Sequence, residues 1–420
     1  MVQICAPYLV TKRLKKGLEH PTRFPERYGI ASCARPSGEL IWFHGASVGE
    51  SLSILPLIEK ITTIKPHTHF LITTTTTAAA KVLSNRLNAK TTHQFIPFDA
   101  IPWVNKFLDH WRPNAVFFVE SEIWPNLLTT AHKWHIKTYL LNARLSTKSL
   151  RHWSYVKRFA QKLWGCFTGI YTQSDEFTQR FNQLGAHQAQ TLGNIKLLSD
   201  PLPFDEAQHN HWQAKIGKRR CWVVASTHKG EEEQIFRIHN ELKQHFPDLL
   251  TIIAPRHMER NDNIYQSAKD VTIARFSDNV LNGQDILLID ALAKLGIFYR
   301  LCPIAFIGGS LIPQGGHNPL EPAMLGALPL WGPYFFNFDD MMHLFKGLPC
   351  QQQSHTQLVE TLLDLFNHPE KITELVRILQ KNIANSQNNI DQKVREILDS
   401  ITMCKQFTTK HSDFKDTREI

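Results

Sequence analysis

At 420 residues, the chain is longer than one hydrophobic core usually organises, so we expect two domains. Its 42% hydrophobic and 20% charged residues are typical of a globular protein. The 47 Lys and Arg against 38 Asp and Glu give a net charge of +9. This excess suits an anionic partner, without choosing among nucleic acid, acidic lipid and a phosphorylated metabolite.

Cysteine spacing and hydropathy restrict the cellular setting. The 7 cysteines stand singly and form no C-x-x-C pair, which argues against a disulfide framework or a structural zinc site. The apolar start, residues 2–10, is short, and no run reaches the roughly 18 residues of a transmembrane helix. We expect a protein of the cytoplasm.

Residues 1–38 are predicted to be a basic N-terminal segment that lies outside the hydrophobic core. Seven basic and two acidic residues lie between Lys12 and Arg35, and Pro21 and Pro25 interrupt any long helix. We favour a solvated basic arm, and the alternative is a segment that contacts a membrane surface.

From residue 39 onward, short apolar runs alternate with helix-compatible segments. In the first half, strands are predicted at 40–43, 70–72, 115–119, 138–141 and 169–171. After a polar break with two prolines at 198–205, further strands are predicted at 222–225, 249–254, 286–289, 304–307 and 328–330. Helical periodicity follows the first strand of each half, with Ile54, Ile58 and Ile61 on one face, and later Ile235, Ile238 and Leu242.

This alternation predicts an α/β protein made of two Rossmann-like, doubly wound domains that face a cleft. We place an N-terminal domain at 39–200, a C-terminal domain at 201–390, and a helix with a polar tail, frayed from Phe407, at 391–420. Ligands bind at the carboxyl ends of parallel strands, so loops 44–50 and 308–321 are expected at the cleft.

The loop 308–321 has the features of a phosphate site. It holds Gly308, Gly309, Gly315 and Gly316, and Asn318-Pro319 is predicted to start a helix with Glu321 three residues after the cap. Such a loop directs free amide hydrogens and a positive dipole end at one spot. The same residues also form a capping box, and most capping boxes bind no ligand.

Three acidic residues follow predicted strands. Glu50 is either a general base on a strand-to-helix turn or an acid favoured at a helix N-terminus. Glu120 and Glu122 end the strand 115–119, where they have either a structural salt bridge or an electrostatic role in the cleft. The strand register does not decide which of these two faces the cleft.

Basic residues offer two further candidates. Lys196 precedes the break between the halves, and Arg256 ends a strand, where its guanidinium can bind a phosphate or pair with a carboxylate. Six basic and no acidic residues lie between Arg144 and Lys162, among Trp153, Tyr155 and Phe159. This pattern fits an interfacial membrane helix or an RNA-binding face.

Taken together, the motifs are far more specific than any one of them. They are His44-Gly-Ala-Ser-Val-Gly-Glu50, Glu120-Ser-Glu-Ile-Trp-Pro-Asn126, Asn142-Ala-Arg-Leu-Ser146, Gly193-Asn-Ile-Lys196, Ser226-Thr-His-Lys-Gly-Glu231, Pro255-Arg-His257 and Gly308-Gly-Ser followed by Gly-Gly-His-Asn-Pro-Leu-Glu321. In this order, and over residues 20–390, the chain closely resembles the 3-deoxy-D-manno-octulosonic acid (Kdo) transferases of lipopolysaccharide assembly.

The resemblance implies a GT-B glycosyltransferase that moves Kdo from CMP-Kdo to a lipid A precursor without a metal or cofactor. It implies that Glu50 is the catalytic base and that Glu120 or Glu122, with Lys196, supports the transition state. It places these residues at the CMP site: Ser226, Pro255, Arg256, Leu292, Ala293, Lys294, Gly308, Gly309, Asn318, Pro319, Leu320 and Glu321.

The chain departs from the family in two places. Where members usually carry Met-Gly-Glu-Leu, this sequence has Leu292-Ala-Lys-Leu295, which alters local contacts in the nucleotide site. Members also commonly begin with a hydrophobic anchor, and here only residues 2–10 correspond to it. We therefore expect peripheral attachment to the anionic cytoplasmic face of the inner membrane, through the basic arm and the face 144–162.

Two other functions remain as alternatives to this prediction. One is a transferase of the same fold that uses a UDP-sugar. The other is a basic protein that binds RNA through residues 144–162. We expect no nucleic-acid partner, because an RNA-binding protein does not need two glycine-containing loops that carry acids toward one cleft.

Overall fold

The computed structural model describes residues 2–352 and 354–408. They form two compact units: the first runs from the N-terminus to Ser199 and includes the chain from Gln387, and the second covers Asp200–Ser386. Of the predicted polar tail, residues 409–420 lie outside the described part. Among the described helices, none combines the length and apolar character required to cross a bilayer.

The first unit contains a sheet of seven parallel strands in the order β3-β2-β1-β4-β5-β6-β7. Strands β1 and β4 are buried along their whole length, as expected of central strands covered on both faces. The strands are β1 (Leu40–His44), β2 (His69–Thr74), β3 (Thr91–Phe95), β4 (Ala115–Val119), β5 (Lys137–Ala143), β6 (Gly169–Thr172) and β7 (Ala189–Thr191).

The second unit contains a sheet of six parallel strands in the order β10-β11-β9-β8-β12-β13. Two of its interior strands, β9 and β12, are also buried throughout. The strands are β8 (Cys221–Thr227), β9 (Leu250–Pro255), β10 (Ile273–Arg275), β11 (Ile286–Leu288), β12 (Ile304–Ile307) and β13 (Leu328–Trp331).

Most of the helices connect successive strands of the two sheets. In the first unit they are α1 (Val2–Lys15), α2 (Val48–Ile64), α3 (Thr77–Ser84), α4 (Ile101–Trp111), α5 (Pro125–Lys133), α6 (Thr147–Tyr155), α7 (Lys157–Trp164) and α8 (Asp175–Gln183). Then follow α9 (Glu206–Ile216), α10 (Glu232–Lys243), α11 (Asn261–Ser267), α12 (Leu295–Leu301), α13 (Leu320–Met324), α14 (His355–Asn367) and α15 (Pro369–Thr408). Of these helices, α1 precedes the first strand, and α14 and α15 follow the last.

The predicted α/β fold with two Rossmann-like sheets is confirmed. Every strand predicted from an apolar run is present, and the helical faces of α2 and α10 are buried as their periodicity indicated. Three strands were not predicted: β3, β7 and β10, each at an edge of its sheet. An edge strand has fewer neighbours to bury it, so its sequence need not contain an apolar run.

The N-terminal segment differs from the expected solvated arm. Glu19, Glu26 and Arg27 are buried, at 4%, 1% and 2% exposure. Arg27 donates to Glu19 and to the carbonyl oxygens of Ile96 and Thr75, which fixes the segment to the end of β3. The prediction was wrong for Glu19, Glu26 and Arg27, whose charges form internal ion pairs, whereas residues 11–18 are exposed or half-buried as expected.

The last helix contributes to the first unit. In α15, Gln387 Nε2 donates to the carbonyl oxygen of Leu197 at 2.7 Å, and Ser400 Oγ lies 2.9 Å from the hydroxyl of Tyr139. Residues 387–400 of this helix therefore pack beside β5 and the segment that follows Lys196, both of which belong to this unit.

Candidate active site

The Glu50 carboxylate lies in the turn that joins β1 to α2. Ser47 is the N-cap of α2, and its hydroxyl accepts a hydrogen bond from the Glu50 amide at 3.3 Å. The carboxylate in turn accepts from the Ser47 hydroxyl at 2.7 Å and from the Ala46 amide at 2.8 Å. This is a capping box, so Glu50 has the structural role expected at a helix N-terminus. Both donors are neutral, and they orient a half-buried carboxylate.

Glu122 is held by a buried polar chain that begins inside the sheet. Trp42 Nε1 donates to Thr73 Oγ1 at 2.8 Å, and Thr73 Oγ1 lies 2.9 Å from His44 Nδ1. His44 Nε2 lies 3.2 Å from Glu122 Oε2, to which Trp124 Nε1 also donates at 2.9 Å. His44 Nδ1 also lies 3.0 Å from the carbonyl oxygen of Thr73, so both atoms of Thr73 that contact this nitrogen are oxygens, while Nε2 faces the carboxylate.

This chain of contacts controls the charge of Glu122. Burial alone would raise the pKa of its carboxyl group. The hydrogen bonds from His44 and Trp124, with the charge of His44, outweigh burial and lower that pKa. Glu122 is therefore ionised at neutral pH. The role of His44 was not predicted, because it depends on a partner 78 residues away.

Glu120 lies at the end of β4 and has a left-handed backbone, with φ of 61°. Its carboxylate lies 3.7 Å from the guanidinium of Arg144, which follows β5. Asn142, also left-handed and fully buried, accepts from the Ile195 amide through Oδ1 at 3.1 Å. The segment that carries half-buried Lys196 is thereby attached to the end of the same sheet. Three motifs thus converge at neighbouring strands.

The second unit contains a cavity of about 240 Å³ at the carboxyl ends of its strands. Its lining includes these residues of the predicted CMP site: Ser226, Pro255, Arg256, Leu292, Ala293, Lys294 and Glu321. A neighbouring cavity of about 270 Å³ shares Ser226, Arg256, Leu295 and Glu321 with the first and adds Asn318 and His317. Residues from four separate loops are therefore brought to one place.

Opposite charges face each other across these cavities. Burial raises the pKa of the Glu321 carboxyl, while a hydrogen bond from Asn318 and the charge of Arg256 oppose that rise. The Asn318 amide nitrogen lies 3.2 Å from Glu321 Oε1, and Asn318 Oδ1 accepts from the Leu320 amide at 3.0 Å. Asn318 therefore orients Glu321 and also accepts a hydrogen bond from the first residue of the short helix, whose N-cap is Pro319 rather than the predicted Asn318. Pro319 and Leu320 are buried beneath them.

The helix at this loop is shorter than the phosphate-site prediction requires. Helix α13 begins at Leu320, one residue later than predicted, and contains 5 residues. A dipole built from so few peptide units contributes little to anion binding. Charge for a bound phosphate must come mainly from side chains, among which Arg256 is exposed at the cavity.

The amide hydrogens of the glycine loop already have a partner. Gly309, Ser310 and Leu311 donate to the Glu231 carboxylate at 2.7, 3.1 and 3.0 Å. Glu231 is 1% exposed, so it replaces the phosphate expected at these amides. Gly308 has a packing role, because a Cβ there would lie 2.5 Å from the Ser226 carbonyl oxygen. This role of Glu231 was not predicted, because its motif does not distinguish it from the neighbouring residues.

The segment that departs from the family pattern lies at the mouth of the first cavity. Leu292 is 75% exposed, and Ala293 has φ of 59°, a conformation that favours glycine. Lys294 donates from Nζ to Gln208 Oε1 at 2.9 Å, which holds the amine at the rim. Ala293 therefore keeps the backbone shape for which glycine is better suited.

Across residues 2–352 and 354–408, no three His, Cys, Asp or Glu side chains are grouped so that they could hold a metal ion.

The sheets define a GT-B type of fold. A solved glycosyltransferase of Rickettsia africae ESF-5 is similar, with a TM-score of 0.59 and 11% identity over 87% of this chain and 99% of that chain. At this identity the likeness concerns the fold alone.

Sequence comparison gives the family. The family described as 3-Deoxy-D-manno-octulosonic-acid transferase (kdotransferase) matches residues 22–199. The 3-deoxy-D-manno-octulosonic acid transferase of Rickettsia prowazekii (strain Madrid E) is 36% identical over 88% of this chain and 80% of its own. That of Rickettsia felis is 39% identical over 87% of this chain and 80% of its own. The chain therefore belongs to the Kdo transferase family of lipopolysaccharide biosynthesis, and it is a glycosyltransferase.

Proposed function

We propose that this Kdo transferase takes Kdo from CMP-Kdo, transfers it to a sugar hydroxyl of a lipid A precursor, and releases CMP. The observation that carries this proposal is the paired cavity of the second unit, where Ser226, Arg256 and Glu321 line both parts. A site for a nucleoside monophosphate needs an apolar wall, a cation for the phosphate and a hydrogen-bond acceptor for the ribose hydroxyls. The residues that line these cavities supply all three.

We assign the donor to the second unit. The nucleoside lies along the apolar wall that includes Pro255 and Leu292, and Glu321 accepts hydrogen bonds from the ribose hydroxyls. The Arg256 guanidinium binds the phosphate and stabilises the negative charge that develops as CMP leaves. In this scheme the charge of the leaving group is neutralised without a metal.

We assign the acceptor to the first unit. Glu50 removes the proton from the attacking hydroxyl, while its two neutral hydrogen-bond donors keep the carboxylate in a fixed orientation. Glu120, Glu122 and Lys196 lie on segments that meet at the same sheet edge, where they support the charge distribution of the transition state. The domains at 39–200 and 201–390 are proposed to bind acceptor and donor, respectively.

Product analysis tests this proposal directly. Purified protein, incubated in EDTA with CMP-Kdo and a lipid A precursor, is expected to yield a glycolipid heavier by Kdo in mass spectrometry. CMP is expected to raise the unfolding temperature of the second unit more than UDP, because a ligand stabilises the state that binds it. Protection by UDP alone, without Kdo product, would favour a UDP-sugar transferase.

We also propose that helices α6 and α7 attach the enzyme peripherally to the anionic cytoplasmic face of the inner membrane. Tyr155 and Phe159 are 73% and 49% exposed there. Arg151, Lys157 and Arg158 are exposed beside them. Aromatic rings and cations that share one surface suit an anionic bilayer interface.

Vesicle sedimentation tests the membrane contact. We expect the protein to sediment with phosphatidylglycerol vesicles and not with phosphatidylcholine vesicles. A Lys157→Glu, Arg158→Glu double variant should remain in the supernatant, whereas a Lys269→Glu control in the second unit should sediment. Salt-sensitive RNA binding with no vesicle binding would assign this face to nucleic acid instead.

A further inference from the structure

Two histidines that the proposed mechanism does not use meet beside the donor cavity. His228 Nε2 and His317 Nε2 are 2.8 Å apart, and the two rings are nearly parallel, with 1° between their planes. His317 lines the same cavity as Arg256 and Glu321. At this distance one Nε2–H donates a hydrogen bond and the other Nε2 accepts it.

The buried carboxylate of Glu231 fixes the backbone that carries this pair. Glu231 accepts hydrogen bonds from the amides of His228 and Gly309, so the loops after β8 and β12 are fastened to each other. Gly309 has φ of 70°, and a Cβ on it would lie 3.3 and 3.4 Å from Cδ2 of His317 and His228. Both rings therefore lie over a glycine whose amide is anchored to a buried carboxylate.

We propose that the His228–His317 pair belongs to the donor phosphate site and takes up one proton when the phosphate of the CMP group binds. The inference rests on the proposed CMP-Kdo donor and adds a proton-linked pair of side chains to its site.

The arrangement of the two rings limits uptake to one proton. In the neutral pair, the ring that donates from Nε2 has an unprotonated Nδ1. A proton added to this Nδ1 makes one imidazolium and leaves the Nε2–Nε2 hydrogen bond intact. A second added proton would place hydrogens on both Nε2 atoms and break that bond.

The groups around the pair keep it neutral in the free protein. Burial lowers the pKa of His317 to about 4, together with the charges of His228, Arg256 and His257. Burial, His257, Arg260 and Arg256 also lower the pKa of His228, opposed by Glu232. Glu231 faces the pair from the start of α10. A bound phosphate opposes these cations and raises the pKa of the pair.

The sign of the pH dependence follows from these shifts. Below about pH 4, the free pair is already charged and binding takes up no proton. Above that value, and up to the higher pKa of the complex, affinity falls by as much as about tenfold for each unit of rising pH. Phosphate affinity is therefore expected to rise as the pH falls toward about 4, where it levels off.

Calorimetry on the full chain tests this inference. The probe is the methyl ester of CMP, a phosphodiester whose charge does not titrate between about pH 5 and pH 8. Titrations at about pH 5, just above the pKa of the free His317, in two buffers of different ionisation enthalpy, give the number of protons taken up. We expect uptake approaching one proton, and we expect it to be lost in His228→Asn and in His317→Asn. His257→Asn, which removes a neighbouring imidazole outside the pair, should retain it.

The outcomes separate this inference from the proposed function. If the ester binds without proton uptake, or if uptake persists in both pair variants or disappears in His257→Asn, the inference is overturned while the CMP site remains. If neither CMP nor its ester binds, the proposed donor is overturned and the inference with it. Because proton uptake is measured first on the unsubstituted protein, a variant that fails to fold does not remove the test.

Discussion

Replacing Glu50 by Gln is expected to lower turnover by about 10²- to 10⁴-fold while CMP still binds. The carboxylate is the proposed base, and a neutral amide cannot accept the proton of the acceptor hydroxyl. Glutamine can still accept a hydrogen bond at the third helical position, so the start of α2 should be preserved. The measurement is the initial rate of Kdo transfer, together with a CMP titration by calorimetry.

A matched substitution in the same helix controls for this experiment. Glu59 also lies on α2 but is exposed, so Glu59→Gln should leave the transfer rate and the unfolding temperature unchanged. Normal turnover in Glu50→Gln would limit Glu50 to its capping role. A loss of activity accompanied by a lower unfolding temperature would attribute the effect to the helix cap instead.

The second large effect is expected from Glu231→Ala. The Glu231 carboxylate accepts amide hydrogens of His228, Gly309, Ser310 and Leu311, and it is buried. Alanine would leave these donors without their acceptor, so we expect the free energy of unfolding of the second unit to fall by about 3–5 kcal/mol. Urea unfolding, followed through the transition that CMP shifts, measures this change.

Two further variants identify the cause of that loss. Glu231→Gln preserves the volume of the side chain but turns an NH₂ group toward amide donors, so it should also destabilise the second unit. Glu233→Ala, at an exposed position of the same helix, should change the free energy of unfolding by about 0.5 kcal/mol or less. Full stability of Glu231→Gln would mean that the carboxylate contacts contribute little.

The fold was predictable because its information is local. Apolar runs such as residues 115–119 and 304–307 indicate buried strands from their own sequence alone. In the same way, the spacing of apolar residues within α2 is enough to indicate a helix with one buried face. Edge strand β3 has the sequence Thr-Thr-His-Gln-Phe, which carries no such signal. Its place in the sheet depends on pairing with β2 and on contacts from the N-terminal segment.

The site was predictable only in part, because its contacts join distant loops. Family motifs selected Arg256 and Glu321, which do line one cavity. They gave no indication that Glu231 would occupy the amides of a loop 78 residues away, or that His228 would meet His317 across 89 residues. The N-terminal segment shows the same effect, since Arg23 donates to the carbonyl oxygen of His93, 70 residues away, and Arg27 to that of Ile96, 69 residues away.

The occupied amides of residues 309–311 have a consequence for the design of inhibitors. Compounds that imitate a phosphate in order to engage backbone NH groups would find those groups satisfied by Glu231. A better lead would carry a planar, bidentate anion that pairs with the guanidinium of Arg256. Joined to this anion, an apolar group would fill the space between Pro255 and Leu292.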